Sequence, residues 1–232
     1  WALREKGIRE LGEQVTSQPG RKFAAGVAAL KILFQDKVPS IVCAACELLE
    51  NAVQASASKH APTDKAVILL GTLFAKMKSN NARVRTAALR ALRAVLDFVP
   101  VAAEKIIQRL LKPVERKDAN KPLVLISRGE LLLAVLDQHK PASRLGKGLS
   151  VEGVMKHALP LLEHRDAKVR DVGVRIVAHL HGIVGLRPIR PYLKDVRQGI
   201  KDTLNEAFEK NSARGDNNAA ATTKVPNNGA QE

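Results

Sequence analysis

Apolar residues recur along this chain three and four apart, and short polar turns cut the runs at regular places. Leu3, Ile8, Leu11 and Val15 share one face of a helix predicted over Ala2 to Thr16, which Ser17-Gln18-Pro19-Gly20 breaks. Val27, Leu30 and Phe34 mark a second helix from Phe23 to Phe34. After the turn Gln35 to Val38, Pro39 fits the first turn of a helix running from Ser40 to about Ala55, because its missing N–H is unpaired there anyway. Thr63 or Asp64 is placed to cap a helix reaching Lys78, and the Asn80-Asn81 turn opens another that ends near Val99. Helices over Val101 to Lys112 and Pro122 to His139 follow, with the loop Pro113 to Lys121 between them. Lys140 to Gly148 connects to a helix capped by Ser150 and running through Leu162. The turn His164 to Lys168 then feeds a helix from Val169 to about Ile183. Pro188 and Pro191 leave room only for a short element between Leu186 and Lys194, and Val196 to Lys210 reads as a terminal helix.

The pattern repeats. Asn81-Ala82-Arg83-Val84-Arg85-Thr86-Ala87-Ala88-Leu89 and Asp166-Ala167-Lys168-Val169-Arg170-Asp171-Val172-Gly173-Val174 match almost position for position. Trp1 to Leu11 and Pro39 to Leu49 are further copies. Arg4, Val42, Arg85 and Arg170 fall on one repeat position, and Gly7, Ala45, Ala88 and Gly173 on another. A period near 40–47 with a helix pair per unit is the signature of HEAT or armadillo repeats. The expected fold is therefore an all-α solenoid of about five to six helix pairs. A small residue at the shared position lets paired helices approach closely. Asn81 and Asp166 stand where a side-chain oxygen caps the second helix, and Arg85 and Arg170 are expected to reach carboxylates or carbonyls of a neighbouring repeat. The helix from Pro122 breaks the small-residue pattern, and the sequence offers no reason.

Composition supports the helical reading: the chain is 45% hydrophobic but only 3% aromatic. It opens on Trp1 rather than Met, so it is expected to be part of a larger protein. The stretch from Asn211 to Glu232 has no Leu, Ile, Phe or Trp to offset its ordering entropy; residues 1–210 are expected to fold and 211–232 to be a disordered tail. That tail is neutral, so the formal charge of +15 belongs to the folded part and points to an acidic partner. No apolar run is long enough for a membrane-spanning helix, so no membrane association is expected.

Candidate chemistry is sparse. The sequence contains no G-x-S-x-G, no phosphate-cradling Gly-rich loop and no H-E-x-x-H. Cys43 and Cys46 form a C-x-x-C without the second pair a structural zinc needs, and read as free thiols. His179 and His181 fall on different sides of a helix. The expectation is a binding module with no catalytic activity, cofactor or metal. In a helix-pair solenoid the turns joining first to second helices emerge along one edge. Here they carry Trp1, then Lys37 and Val38, then Arg83, then Arg116, Lys117 and Lys121, then Arg165 and Lys168. Each lone cation is an ordinary solvated charge, but a line of them ending in tryptophan has the chemistry of an interface.

A HEAT array with tryptophan on its first turn and basic residues on later ones resembles the TOG domain, a tubulin-binding module. Ser127 to Gln138, Asp36 to Leu49, and Val154-Met155 with Leu162-Glu163-His164-Arg165 are similar to the TOG domains of the centrosomal, ciliary-tip branch of that family. The resemblance covers about Trp1 to Ile183. It implies a TOG-like domain that binds one unpolymerised αβ-tubulin heterodimer through Trp1, Lys37, Val38, Arg83, Lys121, Arg165 and Lys168. It further implies a cytoskeletal setting in the cytoplasm, at centrosome, centriole and cilium, with other centriolar and plus-end partners met through regions outside this stretch. Two alternatives remain: a basic scaffold for the phosphates of DNA or RNA, disfavoured because the turns lack interleaved aromatics, and an adaptor for acidic motifs on the concave helix face.

Overall fold

The computed structural model describes residues 2–60, 63–138 and 148–221, with side chains through residue 210. Among the described residues every regular element is a helix. The elements are α1 (Ala2–Ser17), α2 (Pro19–Leu33), α3 (Pro39–Ser58), a 3₁₀ helix (Asp64–Leu69), α4 (Leu70–Lys76), α5 (Ala82–Phe98), α6 (Pro100–Leu111) and α7 (Pro122–Asp137). They continue with α8 (Val151–Leu162), α9 (Ala167–Val184), a second 3₁₀ helix (Arg190–Leu193) and α10 (Gln198–Ala221). Two compact units result: Trp1–Gln138 with Lys147–Leu149, and His139–Gly146 with Ser150–Glu232.

In the first unit consecutive helix pairs lie side by side, α3 packing on both α1 and α5, and α5 on both α6 and α7. The second helices start on equivalent residues. Val38, Asn81, Lys121 and Asp166 are the N-caps of α3, α5, α7 and α9, spaced 43, 40 and 45 residues apart. Asn81 Oδ1 accepts from the N–H groups of Arg83 (3.0 Å) and Val84 (3.3 Å). Asp166 Oδ1 accepts from Lys168 (2.8 Å) and Val169 (3.3 Å), satisfying donors that the helix leaves orphaned. Ser150 caps α8 through Gly153 N–H at 3.0 Å.

The arginine at the repeat position works differently from expectation. Arg85 Nη1 donates to the carbonyls of Ser79 (2.7 Å) and Asn80 (3.4 Å), and Arg170 Nη1 to those of His164 (2.9 Å) and Arg165 (2.8 Å). Each folds back and locks its own turn instead of reaching the next repeat. Arg4, at the same repeat position in α1, does cross: it pairs with Asp36 in the turn before α3, where Val42 stands in place of the arginine.

The small position explains most of the packing and one exception. Ala45 and Ala88 are fully buried. A Cβ on Gly173 would stand 3.0 Å from Leu162 N and 3.0 Å from Leu161 Cβ, so α9 lies against the backbone of α8. Gly7 has nothing within 4 Å of a Cβ, and close approach does not account for it. Counting from the cap, the equivalent residue of α7 is Arg128. It is only 7% exposed, and its Nη2 donates to the carbonyls of Leu110, Lys112 (2.6 Å) and, more weakly, Arg109 (3.5 Å). Where repeat five brings backbones together, repeat four inserts a guanidinium that caps the carboxyl end of α6. Cationic capping there suits both the orphan carbonyls and the helix dipole.

Other boundaries differ in detail. Gln18 alone separates α1 from α2, because Pro19 already serves as the first helical residue. Residues 64–69 form a 3₁₀ helix, and Thr63 makes no side-chain cap; its hydroxyl donates to the Phe98 carbonyl at 3.3 Å. The second unit is built on Val154, Leu161 and Leu162 of α8, Val169, Ile176 and Leu180 of α9, and Leu204 and Phe208 of α10, all buried. His181 stacks on Phe208 with centroids 4.2 Å apart, and burial pulls its pKa down. Helix α10 continues past Asn211 to Ala221, beyond the expected end of the fold at Lys210; residues 222–232 lie outside the described residues.

Candidate functional site

The turns of the first unit are held from within. Before α3, Asp36 Oδ1 accepts from Val38 N–H at 2.8 Å while its other oxygen pairs with Arg4. These contacts, the Val38 N–H first, hold the Asp36 carboxyl below its ordinary pKa. That fixes the turn with Lys37 exposed and Val38 half-buried. Before α5, the Asn81 cap and the Arg85 clamp leave Arg83 exposed on the first turn of the helix. Arg83 borders a shallow cleft of about 430 Å3 between α3 and α5, whose far side is closed by Arg90 forked onto Glu50 at 2.8 and 3.2 Å.

The turn before α7 reads as a basic loop in sequence but is organised around a carboxylate. Asp118 is buried and takes Lys78 at 2.6 Å and Lys121 at 2.9 Å. Lys78 comes from the turn before α5, so this pair ties neighbouring turns together. Lys117 sits 2.9 Å from Glu115. Lys121 is thus exposed but already committed, whereas Lys37 and Arg83 make no ion pair among the described residues.

The two ammonium groups hold Asp118 at about 2, well below its ordinary 3.8. A depressed folded-state pKa stabilises the fold in full above about pH 4 and less as pH falls towards about 2. Asp118→Asn is therefore expected to be less stable than wild type at neutral pH and to lose less stability between about pH 5 and pH 2.5. Urea midpoints of both proteins across that range check it; parallel acid limbs would mean that the carboxylate is not held as described.

In the second unit the turn between α8 and α9 carries Arg165 and Lys168, both exposed and neither ion-paired among the described residues. His164 Nδ1 accepts from Asp166 N–H at 3.0 Å, and Arg170 clamps the preceding carbonyls. Trp1 lies outside the described residues.

Little else offers chemistry. No group of His, Cys, Asp and Glu among the described residues is arranged to hold a metal ion. Cys46 is buried, and burial pushes its thiol up to about 12; Cys43, half-buried, is raised for the same reason. Sequence reasoning overlooked a second basic cluster, Lys105 and Arg109, four apart on one face of α6, with Lys112 at the helix's C-cap.

The model of the TOG domain of centrosomal protein CEP104 matches residues 5–176. The 104-kDa centrosomal protein of Rattus norvegicus is 25% identical over 197 residues, covering 78% of this chain and 21% of the relative. The chain thus spans about a fifth of the length of that curated relative. The structure of the TOG domain of human Cep104 superposes with a TM-score of 0.63 at 21% identity, over 91% of this chain and 86% of the other. A structure concerned with tubulin recruitment and assembly by microtubule polymerases with TOG domain arrays aligns with a TM-score of 0.74 at 19% identity, over 90% of this chain and 44% of that one. The likeness to these structures is one of fold, an α-solenoid of HEAT type.

Proposed function

The chain belongs to the family of the CEP104 TOG domain, and from that premise we propose that it is a non-catalytic module binding one unpolymerised αβ-tubulin heterodimer through its intra-repeat turns. The contact residues are Lys37, Val38, Arg83 and Lys121 on the first unit, Arg165 and Lys168 on the second, and Trp1. The observation that carries the reading is the pairing of exposed cations, uncommitted at Lys37, Arg83, Arg165 and Lys168, with turns that are locked by caps and arginine clamps. Preorganised turns lose little entropy on binding, and a basic surface speeds encounter with an acidic partner. Tubulin recruitment by the aligned polymerase array supports the partner, and the centrosomal relatives support a setting at the centrosome, which we extend to centriole and ciliary tip.

The test is comigration with unpolymerised tubulin on size exclusion, using wild type, Trp1→Ala and Arg165→Glu/Lys168→Glu. Wild type is expected to shift as a one-to-one complex and both variants to lose most of the shift. A wild type that does not shift at low salt contradicts the proposal. A Trp1→Ala variant that binds undiminished would turn attention to phosphates, which need no tryptophan.

A further inference from the structure

A cleft of about 770 Å3 in the first unit shares Lys78, Lys117 and Asp118 with the turns described above, but not Lys37, Val38 or Arg83. Phe74 and Ala75 of α4 and Pro113 give it an apolar floor. Its walls carry six cations against two carboxylates. Lys78 and Lys117 are spent on those carboxylates, Asp118 and Glu115. Lys105 and Arg109 of α6 and Lys112 at its C-cap make no ion pair among the described residues, and Arg109 covers the Phe74 ring at 5.0 Å. Arg128 closes the inner wall. Its Nη2 is engaged by the α6 carbonyls, but its Nε is buried with no acceptor. A buried guanidinium N–H without a partner costs free energy comparable to a lost charge-assisted hydrogen bond. Burial and the nearby Arg109 lower the Arg128 pKa more than Asp118 and Glu115 raise it, so one more negative group beside it would be favourable.

We propose that this cleft between α4 and α6 is a second binding site, which takes an acidic peptide segment of a partner protein with its carboxylates on Lys105, Arg109, Lys112 and Arg128. The site does not use Lys37, Val38 or Arg83, although Asp118 on its wall also holds Lys121 of the turn edge. A peptide fits better than a nucleic acid for two reasons on the page. The one aromatic ring is already covered by Arg109, leaving no platform for base stacking. Ala75 and Pro113 are exposed on the cleft lining, where a peptide can place an apolar side chain and a phosphate backbone has none to place. The Gln108 side chain adds a donor and acceptor for the peptide's main chain.

The probe is a fluorescein-labelled peptide of about eight glutamates around a central leucine, followed by anisotropy at low and at physiological salt, beside an oligothymidylate of equal charge. Lys105 and Lys112 are exposed, so Lys105→Glu/Lys112→Glu leaves packing intact; Arg128 is avoided because its loss weakens the fold. Wild type is expected to bind the peptide more tightly than the oligothymidylate. The α6 double variant should lose about tenfold in affinity, while Lys37→Glu/Arg83→Glu changes it less than about twofold. Equal losses in both variants would show a diffuse charge effect and overturn the site. Absence of binding at low salt, or tighter binding of the oligothymidylate, overturns the choice of ligand.

Discussion

Arg128→Ala is expected to destabilise the first unit by about 3 kcal/mol, even though alanine is what the repeat pattern places at that position. By pattern alone, Arg128 interrupts a row of Ala45, Ala88 and Gly173, and restoring the small residue should help. The structure gives the opposite sign. Truncation would leave the carbonyls of Leu110 and Lys112 without their donor and open a void where a buried side chain now stands. Orphaned buried acceptors cost about 1–3 kcal/mol each, and the cavity adds to that. Arg128→Lys should recover only part of the loss, since a single ammonium cannot fork across several carbonyls. Thermal melts should show Arg128→Ala about 6–12 °C below wild type. A variant as stable as wild type would mean that the α6 carbonyls find water or another donor.

Gly173→Leu should cost about 3 kcal/mol in the second unit, whereas Gly7→Ala should gain about 0.5–1 kcal/mol. The two glycines occupy the same repeat position with different surroundings. At Gly173 the obstacle is the backbone of α8, with Leu162 N 3.0 Å from an added Cβ, and backbone cannot rotate out of the way as a side-chain tip can. The helices must separate, and the packing of α8 on α9 loosens with them. At Gly7 nothing stands within 4 Å, so a substitution meets no resistance and removes the conformational freedom that glycine gives the unfolded chain. Denaturant midpoints of the two variants, read against wild type, should move in opposite directions. Movement in the same direction would contradict the packing described for α8 and α9.

These cases show what was legible in the sequence. The helix order, the N-caps Asn81, Asp166 and Ser150, and the tight packing at Gly173 follow from local rules: apolar period, cap chemistry and the size of one residue. The misses are all tertiary. Arg128 acts on carbonyls 16 to 19 residues away in chain, and nothing in its own helix announces that. Asp118 looks like one of two acids in a basic loop, yet its burial between Lys78 and Lys121 organises that loop. At Gly26 a Cβ would stand 2.7 Å from Val15, a close approach of α1 and α2 that falls outside the repeat register. Lys37, Arg83, Lys121, Arg165 and Lys168 are exposed on or beside the turns where the sequence places them, Val38 is half-buried, and Trp1 lies outside the described residues. The commitment of Lys121 to Asp118 was not legible, because it depends on which neighbour the folded loop brings near. On that account Lys37 and Arg83 are the stronger cations of the first unit.

The central claim is tested most directly by titrating the protein with unpolymerised tubulin in sedimentation-velocity runs, comparing wild type with Lys37→Glu/Arg83→Glu at low and physiological salt. Both substituted side chains are exposed and unpaired among the described residues, so melting temperatures should be unchanged. Wild type should form a one-to-one complex that weakens as salt rises, and the variant should bind at least about tenfold more weakly. A variant that folds normally and binds tubulin as wild type does would contradict the assignment of these turns as the contact surface.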